Sequence, residues 1–394
     1  MENISKQIKK ITKSINLIPT KELYRERALL YNKLEKFDLA MNDYEEIIKL
    51  DPKDYNAYYE RACEWYNWKI YYLDESPSKE SIKQNTIMYL KNSLKLKETS
   101  KSCYRIAEIY FNLLQEDEEA LKYCKNAILI TPNEIEALKL LGEVYNELEE
   151  YNNAIKMFNS ALKLCEDSDT FLFRGITYCN LANHMNNDCD TIKMYKNALN
   201  DYENALRLDS ENVVAYMKMA QLLESVFNET QQAIKCYKKI LELEPYNERA
   251  NEAMANYYYD IGNYKNVIKY INKIGVLDGL DYLELRKAES YYELGKYNEA
   301  LEIYNRILKI KNDKIVYDYR GDVYLKLGEY DKAISDYENY IKLSPEAKGV
   351  YYRLGLAYKE KGDDCSALKV LEKALELLPA NEKILKLING IKYK

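Results

Sequence analysis

The sequence predicts an all-α protein, a solenoid in which similar pairs of helices follow one another along the chain. A pattern of large and small residues recurs about every 34 residues, most clearly from Ile315 to Pro345 and again in the stretch that follows. Only 12 Gly and 7 Pro occur in 394 residues, too few for a loop-rich or β-rich fold. With 47% apolar and 31% charged residues, the chain is expected to be ordered.

The repeated pattern can be numbered by setting Lys314 as position 1. Large residues fall at positions 4, 11, 24 and 27, small ones at 8 and 20, glycine at 15 and proline at 32. In the first stretch these are Tyr317, Tyr324, Tyr337, Tyr340, Gly321, Ala333, Gly328 and Pro345. In the next they are Tyr351, Tyr358, Leu371, Gly355, Ala367, Gly362 and Pro379, with the smaller Ala374 at position 27. This order resembles the tetratricopeptide repeat. The resemblance implies a right-handed superhelix of about ten helix-turn-helix repeats with capping helices at both ends.

Measured against this pattern, the chain divides into four segments. Residues 1–20 form an N-terminal capping helix, 21–275 hold repeats 1–7, 276–381 hold repeats 8–10, and 382–394 form a C-terminal capping helix. Repeats 2 and 5 carry extra residues near 70–82 and 183–194, which predict long hairpins. Gly275 and Gly279 predict a flexible joint.

Both predicted caps carry an apolar stripe. At the N-terminus the stripe consists of Ile4, Ile8, Ile11 and Ile15. It favours a helix that covers the first repeat, although a helix lying on a membrane surface has the same pattern. At the C-terminus, Ile384, Leu385 and Leu387 are expected to cover the last repeat.

Small residues at positions 8 and 20 indicate where the paired helices approach most closely. A bulky side chain there would overpack the crossing, at a cost of about 1–3 kcal/mol. Repeat 3, counted from residue 101, has Glu108 at position 8, which predicts looser packing in that repeat.

The sequence offers no recognisable catalytic or cofactor site. Its single histidine, His184, lies in the extra segment of repeat 5, and the eight cysteines form no CxxC pair. Neither GxxxxGK[ST] nor GxGxxG occurs. We therefore predict a protein that is not an enzyme and holds no cofactor or metal.

Charge, cysteine content and hydropathy limit the classes of partner and the compartment that we expect. A net charge of −6 argues against nucleic acid, which needs a basic surface. The scattered cysteines predict reduced thiols in the cytoplasm. No run of about 18 apolar residues occurs, so we expect no integral membrane segment.

The resemblance further implies a groove lined by the first helices, which present positions 2, 5, 9 and 12 to a protein or peptide partner. The candidate partner-binding residues are Arg25, Tyr59, Arg105, Lys139, Glu252, Asn256, Tyr259, Glu289, Tyr292, Asp318 and Asp322. They suggest a groove that is basic in repeats 1–4 and acidic in repeats 7–9, which would receive a segment of opposite polarity. Random scatter on a Lys- and Glu-rich surface would give the same list.

Asn32, Asn67, Asn112, Asn146 and Asn180 recur near the ends of first helices, where a ladder of amides could hold a peptide backbone. A chain rich in Asn throughout also explains them. The carboxylate clamp with which some family members bind chaperone termini is not matched in any three consecutive repeats. The sequence thus predicts a non-catalytic scaffold or adaptor. A regulatory or targeting subunit of a larger enzyme or secretion complex and a peripheral membrane adaptor remain alternatives.

Overall fold

The computed structural model describes residues 2–71, 78–185, 189–275, 281–379 and 381–393, and within them it contains helices and no strand. The all-α prediction is confirmed. The chain forms two compact units, residues 1–222 and 223–394. Gly275 lies in the described part of the chain, whereas Gly279 lies outside it. The predicted joint and the predicted segment boundaries therefore stay predictions.

The first unit contains the N-terminal helix and the helix pairs of repeats 1–5, together with most of the first helix of repeat 6. Its helices are α1 (Glu2–Leu17), α2 (Lys21–Asn32), α3 (Phe37–Leu50), α4 (Tyr55–Tyr71), α5 (Lys79–Ile82), α6 (Met88–Leu96), α7 (Ser100–Ile109), α8 (Asp117–Ile130), α9 (Ile135–Glu147), α10 (Tyr151–Leu164), α11 (Ser168–His184), α12 (Cys189–Leu208) and α13 (Val213–Ser225). A π-helical turn, Lys83–Ile87, joins α5 to α6. With 17 and 20 residues, α11 and α12 are longer than the 13 and 14 residues of α9 and α10.

The second unit contains the end of α13, the second helix of repeat 6, the pairs of repeats 7–10 and the C-terminal helix. Its helices are α14 (Thr230–Leu243), α15 (Glu248–Asp260), α16 (Tyr264–Ile271), α17 (Asp281–Glu293), α18 (Tyr297–Ile310), α19 (Lys314–Lys326), α20 (Tyr330–Leu343), α21 (Lys348–Lys361), α22 (Asp364–Leu377) and α23 (Glu382–Lys392). Each repeat turns between its helices, and Gly262, Gly295, Gly328 and Gly362 take a positive φ there.

A ring or branched side chain at position 24 fills the space that the small residue at position 8 leaves. A Cβ added to Gly142 would lie 2.6 Å from the ring of Phe158, and one added to Gly321 would lie 2.7 Å from the ring of Tyr337. Both rings are fully buried. The expectation of a tight helix crossing is thus refined, because the neighbour that limits the size of residue 8 is the side chain at position 24.

Three repeats share a buried ion pair, the Arg–Asp clasp, between position 7 and position 23. Two nitrogens of the arginine donate to the two carboxylate oxygens, at 2.6–2.9 Å, in the pairs Arg27–Asp43, Arg174–Asp201 and Arg320–Asp336. The third arginine nitrogen donates to Thr12, Asn159 and Asn305 respectively, at 3.1, 2.5 and 2.6 Å. In repeats 5 and 9 this acceptor lies in the second helix of the preceding repeat. The clasp therefore joins three consecutive helices.

Helix α1 packs like the second helix of a preceding repeat, because its Thr12 accepts the hydrogen bond that Asn159 and Asn305 accept in the other two clasps. Ile11 and Ile15 of α1 are buried, and Ile4 and Ile8 are half-buried. At the other end, Ile384 is buried as expected, but Leu385 is exposed. The C-terminal prediction is wrong at that residue, because the stripe of α23 continues through the helical spacing of four and three to Ile388 and Ile391, which are buried instead.

The prediction of loose packing in repeat 3 is wrong. Helix α7 begins at Ser100, one residue earlier than expected, so position 8 is Ala107, which is fully buried. Glu108 is the next residue and is only half-buried. The extra residue is absorbed in a π-helical turn, Tyr110–Leu114, that ends the first helix. Repeat 3 therefore packs like its neighbours.

Candidate functional site

In each unit the first helices of neighbouring repeats contact one another, and we call the face that they share the inner face. Side chains on this face link neighbouring repeats. A residue at position 6 reaches back to positions 5 and 9 of the repeat before it. Arg286 donates to Asn256, and Arg353 donates to Asp318. Position 6 is absent from the positions predicted to line the groove. Its regular spacing, one residue after position 5, is the signal that would have revealed it.

In the second unit, this face contains a cavity of about 290 Å³ that we call the tyrosine cage. It is lined by Tyr259, Tyr264, Glu289, Tyr292, Glu293, Tyr304, Tyr319 and Asp322. Helices α15, α17 and α19 supply most of the wall, and α16 and α18 supply one tyrosine each. Four of the eight residues, Tyr259, Glu289, Tyr292 and Asp322, were predicted from the sequence as partner-binding, and the structure brings them together.

Tyrosine hydroxyls hold two of the cage carboxylates. Tyr259 donates to Glu289, and Tyr337, just behind the wall, donates to Asp322 at 2.6 Å. Burial and a hydrogen bond to Glu289 raise the pKa of Tyr319 to about 12. That phenol is therefore neutral at physiological pH, and its hydroxyl remains a donor.

Two arginines lie beside the cage but are not part of its wall. The Arg286 guanidinium carbon lies 4.8 Å from the centroid of the Tyr259 ring. The Arg353 Nε lies 3.7 Å from an oxygen of Asp322. Burial raises the pKa of Asp318 to about 6, although the neighbouring Arg353 opposes that shift. The carboxylates of this region outnumber the arginines, so the cage keeps an excess of negative charge.

The other predicted residues of the second unit lie on the same face outside the cage wall. Glu252 accepts a hydrogen bond from Tyr282, Asn256 accepts one from Arg286, and Asp318 accepts one from Arg353. They therefore belong to links between repeats.

In the first unit, each predicted basic residue faces a carboxylate. Arg25 contacts Asp54 and Glu60 at 3.2 and 3.0 Å. Arg105 pairs with Glu108, and the Lys139 Nζ lies 3.4 Å from Asp167. Tyr59 lies under an ammonium, with the Nζ of Lys101 4.7 Å from its ring centroid. The positive charge predicted for these repeats is thus locally compensated, and the predicted change of charge sign stays a prediction.

A second cavity lies in the first unit, and its wall combines four apolar residues with four polar or acidic ones. We call this space of about 270 Å³ the phenylalanine cavity, and its wall consists of Phe111, Glu143, Asn146, Glu147, Phe158, Phe173, Ile176 and Thr177. Burial raises the pKa of Glu143 to about 7. In the described part of the chain no hydrogen bond reaches this carboxyl group. Of the predicted asparagine ladder, Asn180 donates to Asn146 at 3.1 Å.

The single histidine has a hydrogen-bond partner, and two buried cysteines have raised pKa values. His184 Nε2 lies 3.1 Å from the hydroxyl of Tyr151. Burial raises the pKa of Cys124 to about 12 and that of Cys103 to about 11, so both remain thiols at neutral pH. Over the described ranges, no group of three or more His, Cys, Asp or Glu side chains has an arrangement suited to a metal ion.

The fold defines the class of protein, an α-solenoid of helix-turn-helix repeats. A family profile described as "Tetratricopeptide repeat" matches residues 22–54, 100–134, 135–168 and 349–381, and one described as "TPR repeat" matches 321–362. A profile described as "Anaphase-promoting complex, cyclosome, subunit 3" matches residues 228–307. The chain belongs to the tetratricopeptide-repeat family, whose arrays are generally non-catalytic scaffolds for protein–protein interaction.

Solved structures with a similar arrangement include other proteins of this kind. The crystal structure of YrrB, described as a TPR protein with an unusual peptide-binding site, shows 24% identity over 49% of this chain and 98% of YrrB, with a TM-score of 0.42. MamA shows 21% identity over 43% and 91% of the two chains, with a TM-score of 0.36. Yeast Tom70 shows 14% identity over 100% and 92%, with a TM-score of 0.34. At these identities the similarity concerns the fold alone.

Among curated proteins, none matches the chain. Across the described residues, the structure contains no helix that is both long and apolar enough to span a bilayer.

Proposed function

We propose that this protein is a non-catalytic adaptor that binds a segment of a partner protein against the inner face of its second unit. The observation that carries the proposal is the tyrosine cage, a concave site in which five aromatic rings and three carboxylates converge. Binding sites combine apolar walls with a few placed polar groups in this way. Tyrosine adds contact area with little loss of side-chain freedom, and tyrosine is enriched at interfaces.

The alternative of a membrane-surface adaptor loses support from the packing of α1. Ile11 and Ile15, half of the apolar stripe that would enter a membrane, are buried in the protein. For the compartment, we propose the cytoplasm. All eight cysteines are unpaired, and Cys165, Cys189 and Cys365 are exposed, which suits a reducing environment.

Site-specific cross-linking tests the adaptor proposal. The photoreactive residue p-benzoylphenylalanine replaces Tyr292 in the cage wall or, as a matched control, Tyr246, whose side chain is 76% exposed in a turn. After irradiation in the native cell, mass spectrometry maps the cross-linked peptides. We expect residue 292 to capture one recurring segment of one partner, and residue 246 to capture none of it. Equal capture of that segment at both residues, or no capture at residue 292, would contradict the proposal.

A further inference from the structure

We propose that the tyrosine cage binds the side-chain ammonium group of a lysine in the partner segment. This inference rests on the proposed function and names the chemistry of that contact. It combines three observations: a cavity sized for one side chain, aromatic walls, and carboxylates from two first helices with no cation in the wall.

The cavity is small and its walls are aromatic. At about 290 Å³, it lies at the lower end of the range of small-molecule sites, which suits a single side chain. The ring centroids of Tyr259 and Tyr264 are 6.2 Å apart with an interplanar angle of 76°, and those of Tyr304 and Tyr319 are 6.2 Å apart at 32°. Rings at differing angles expose several π faces to one enclosed group. Aromatic faces attract ammonium ions through their quadrupoles.

The carboxylates supply the charge that an ammonium group needs. Glu289 and Glu293 lie one helical turn apart on α17, where like charges repel each other, and Asp322 approaches from α19. A cation between them removes that repulsion. Glu289 accepts a bond from Tyr259 and Asp322 accepts one from Tyr337, but a carboxylate has about four acceptor positions, so acceptors remain.

The neighbouring arginines do not neutralise the cage from within. Arg286 donates to Asn256 and Arg353 donates to Asp318, and although the Arg353 Nε also lies 3.7 Å from Asp322, neither arginine lines the cavity. The exposed Glu293 has no hydrogen bond or ion pair with the described residues. An incoming cation therefore meets carboxylates and rings, and an incoming anion would meet three like charges.

The placement of the carboxylates favours lysine over arginine. A guanidinium group is a flat fork that matches one carboxylate through two parallel bonds, whereas an ammonium group is compact and directs three donors in different directions. The cage presents three separate carboxylates from two helices.

The test uses a lysine analogue, Nα-acetyl-lysine N-methylamide, titrated into the full chain and followed by saturation-transfer NMR. We expect a Kd on the order of 1 mM, which is reasonable for one side chain. The Nε-acetylated analogue, which has no charge, should bind at least tenfold more weakly. The arginine analogue should also bind more weakly than the lysine analogue.

Two variants locate the binding site. Glu289→Gln with Asp322→Asn should weaken binding of the lysine analogue at least tenfold. The matched control, Glu302→Gln with Glu346→Gln, removes the same charge from exposed residues of the second unit and should bind like the wild type. Circular dichroism checks the fold. Should the first variant unfold, Glu293→Gln changes only an exposed carboxylate and should still weaken binding severalfold.

Three results would overturn the inference: equal binding of the charged and acetylated analogues, stronger binding of the arginine analogue, or binding that both cage variants leave unchanged. The adaptor proposal and the lysine inference can be tested independently. A partner cross-linked at residue 292 without binding of the lysine analogue would remove only the lysine inference. Binding of the analogue with no cross-linked partner would remove only the adaptor proposal.

Discussion

The tyrosine cage of repeat 8 and the phenylalanine cavity of repeat 4 occupy the same repeat positions. Position 9 is Glu289 in one and Glu143 in the other, and position 24 is Tyr304 in one and Phe158 in the other. Their volumes, about 290 and 270 Å³, are nearly equal. The two sites differ in the hydroxyl groups around the glutamate and at position 9 of the next repeat, which is Asp322 in the cage and Ile176 in the phenylalanine cavity.

The hydroxyl groups determine whether the glutamate accepts a hydrogen bond from the wall. Glu289 accepts a hydrogen bond from Tyr259, at position 12 of the repeat before it. Phe111 occupies the equivalent place beside Glu143 and has no hydroxyl to donate. Burial then raises the pKa of Glu143 to about 7. The comparison teaches that one repeat geometry gives either a glutamate that accepts a tyrosine hydrogen bond or one that does not, depending on Tyr or Phe in the wall.

Removing the aromatic ring at position 24, which each cavity contains, should have the largest effect on stability. Phe158→Ala and Tyr304→Ala each delete a ring that is at most 1% exposed, which should lower the free energy of unfolding by about 3–5 kcal/mol. Urea denaturation followed by circular dichroism measures the loss. Tyr246→Ala, at an exposed tyrosine, should change it by less than about 0.5 kcal/mol. A loss in only one of the two repeats would show that the cavities are not equivalent.

Removing one hydroxyl should make the cage resemble the phenylalanine cavity. Tyr259→Phe removes the hydroxyl that donates to Glu289 and leaves the hydrogen bond between Tyr319 and Glu289 in place. The loss of one hydrogen bond to a carboxylate should lower the free energy of unfolding by about 1–3 kcal/mol. The same denaturation measurement at pH 7 tests this. Tyr340→Phe serves as the control because no hydrogen bond of the Tyr340 hydroxyl occurs among the described residues. Equal effects of the two variants would refute the role assigned to the Tyr259 hydroxyl.

The pH dependence of Glu143 should be the smallest effect. Its folded pKa of about 7 lies above the ordinary value of 4.5, so the unfolded chain releases this proton at a lower pH than the native state does. Stability from this group is therefore full below pH 4.5 and is lost as pH rises to 7. The difference between pKa values of 4.5 and about 7 corresponds to at most about 3 kcal/mol, and partial solvent exposure of the side chain reduces that amount. Glu143→Gln should therefore raise the free energy of unfolding by about 1–2 kcal/mol at pH 8 and by less than about 0.5 kcal/mol at pH 5.

Two variants sharpen that measurement. Glu147→Gln, at an exposed residue of the same helix, should show no such difference between pH 5 and pH 8. Phe111→Tyr places a hydroxyl where Tyr259 has one in the cage, and it should reduce the pH dependence. A Glu143→Gln effect of the same size at both pH values would show that the carboxyl group is not protonated in the folded state.

The sequence alone predicted the repeats and therefore the helix faces. Residues at positions 9 and 12, such as Glu289 and Tyr292, could be assigned to the inner face because the resemblance to the tetratricopeptide repeat implies which positions of a first helix line the groove. Tyr319 and Tyr304 were missed for a different reason. Position 6 was left out of the predicted groove, and position 24 was described only as a large residue of the repeat, although the ring there also reaches the cavity.

The sequence alone could not show which side chains of neighbouring repeats bind each other. Asp318 was predicted to bind a partner protein, yet Arg353 of the next repeat donates to it. That contact depends on how closely one repeat packs on another. The Arg–Asp clasp, by contrast, leaves a readable signal. Its residues are 16 apart in repeats 1 and 9 and 27 apart in repeat 5, and the difference of 11 matches the predicted insertion.

The clasp also determines where the chain can be cut. Arg320 and Asp336 lie in one repeat, but Asn305, which completes their hydrogen bonds, lies in the second helix of the repeat before it. A fragment that begins at Lys314 would expose one arginine nitrogen without its acceptor. A fragment that begins at Tyr297 would retain it. The natural boundary for truncation or grafting therefore falls in the middle of a repeat, between its two helices.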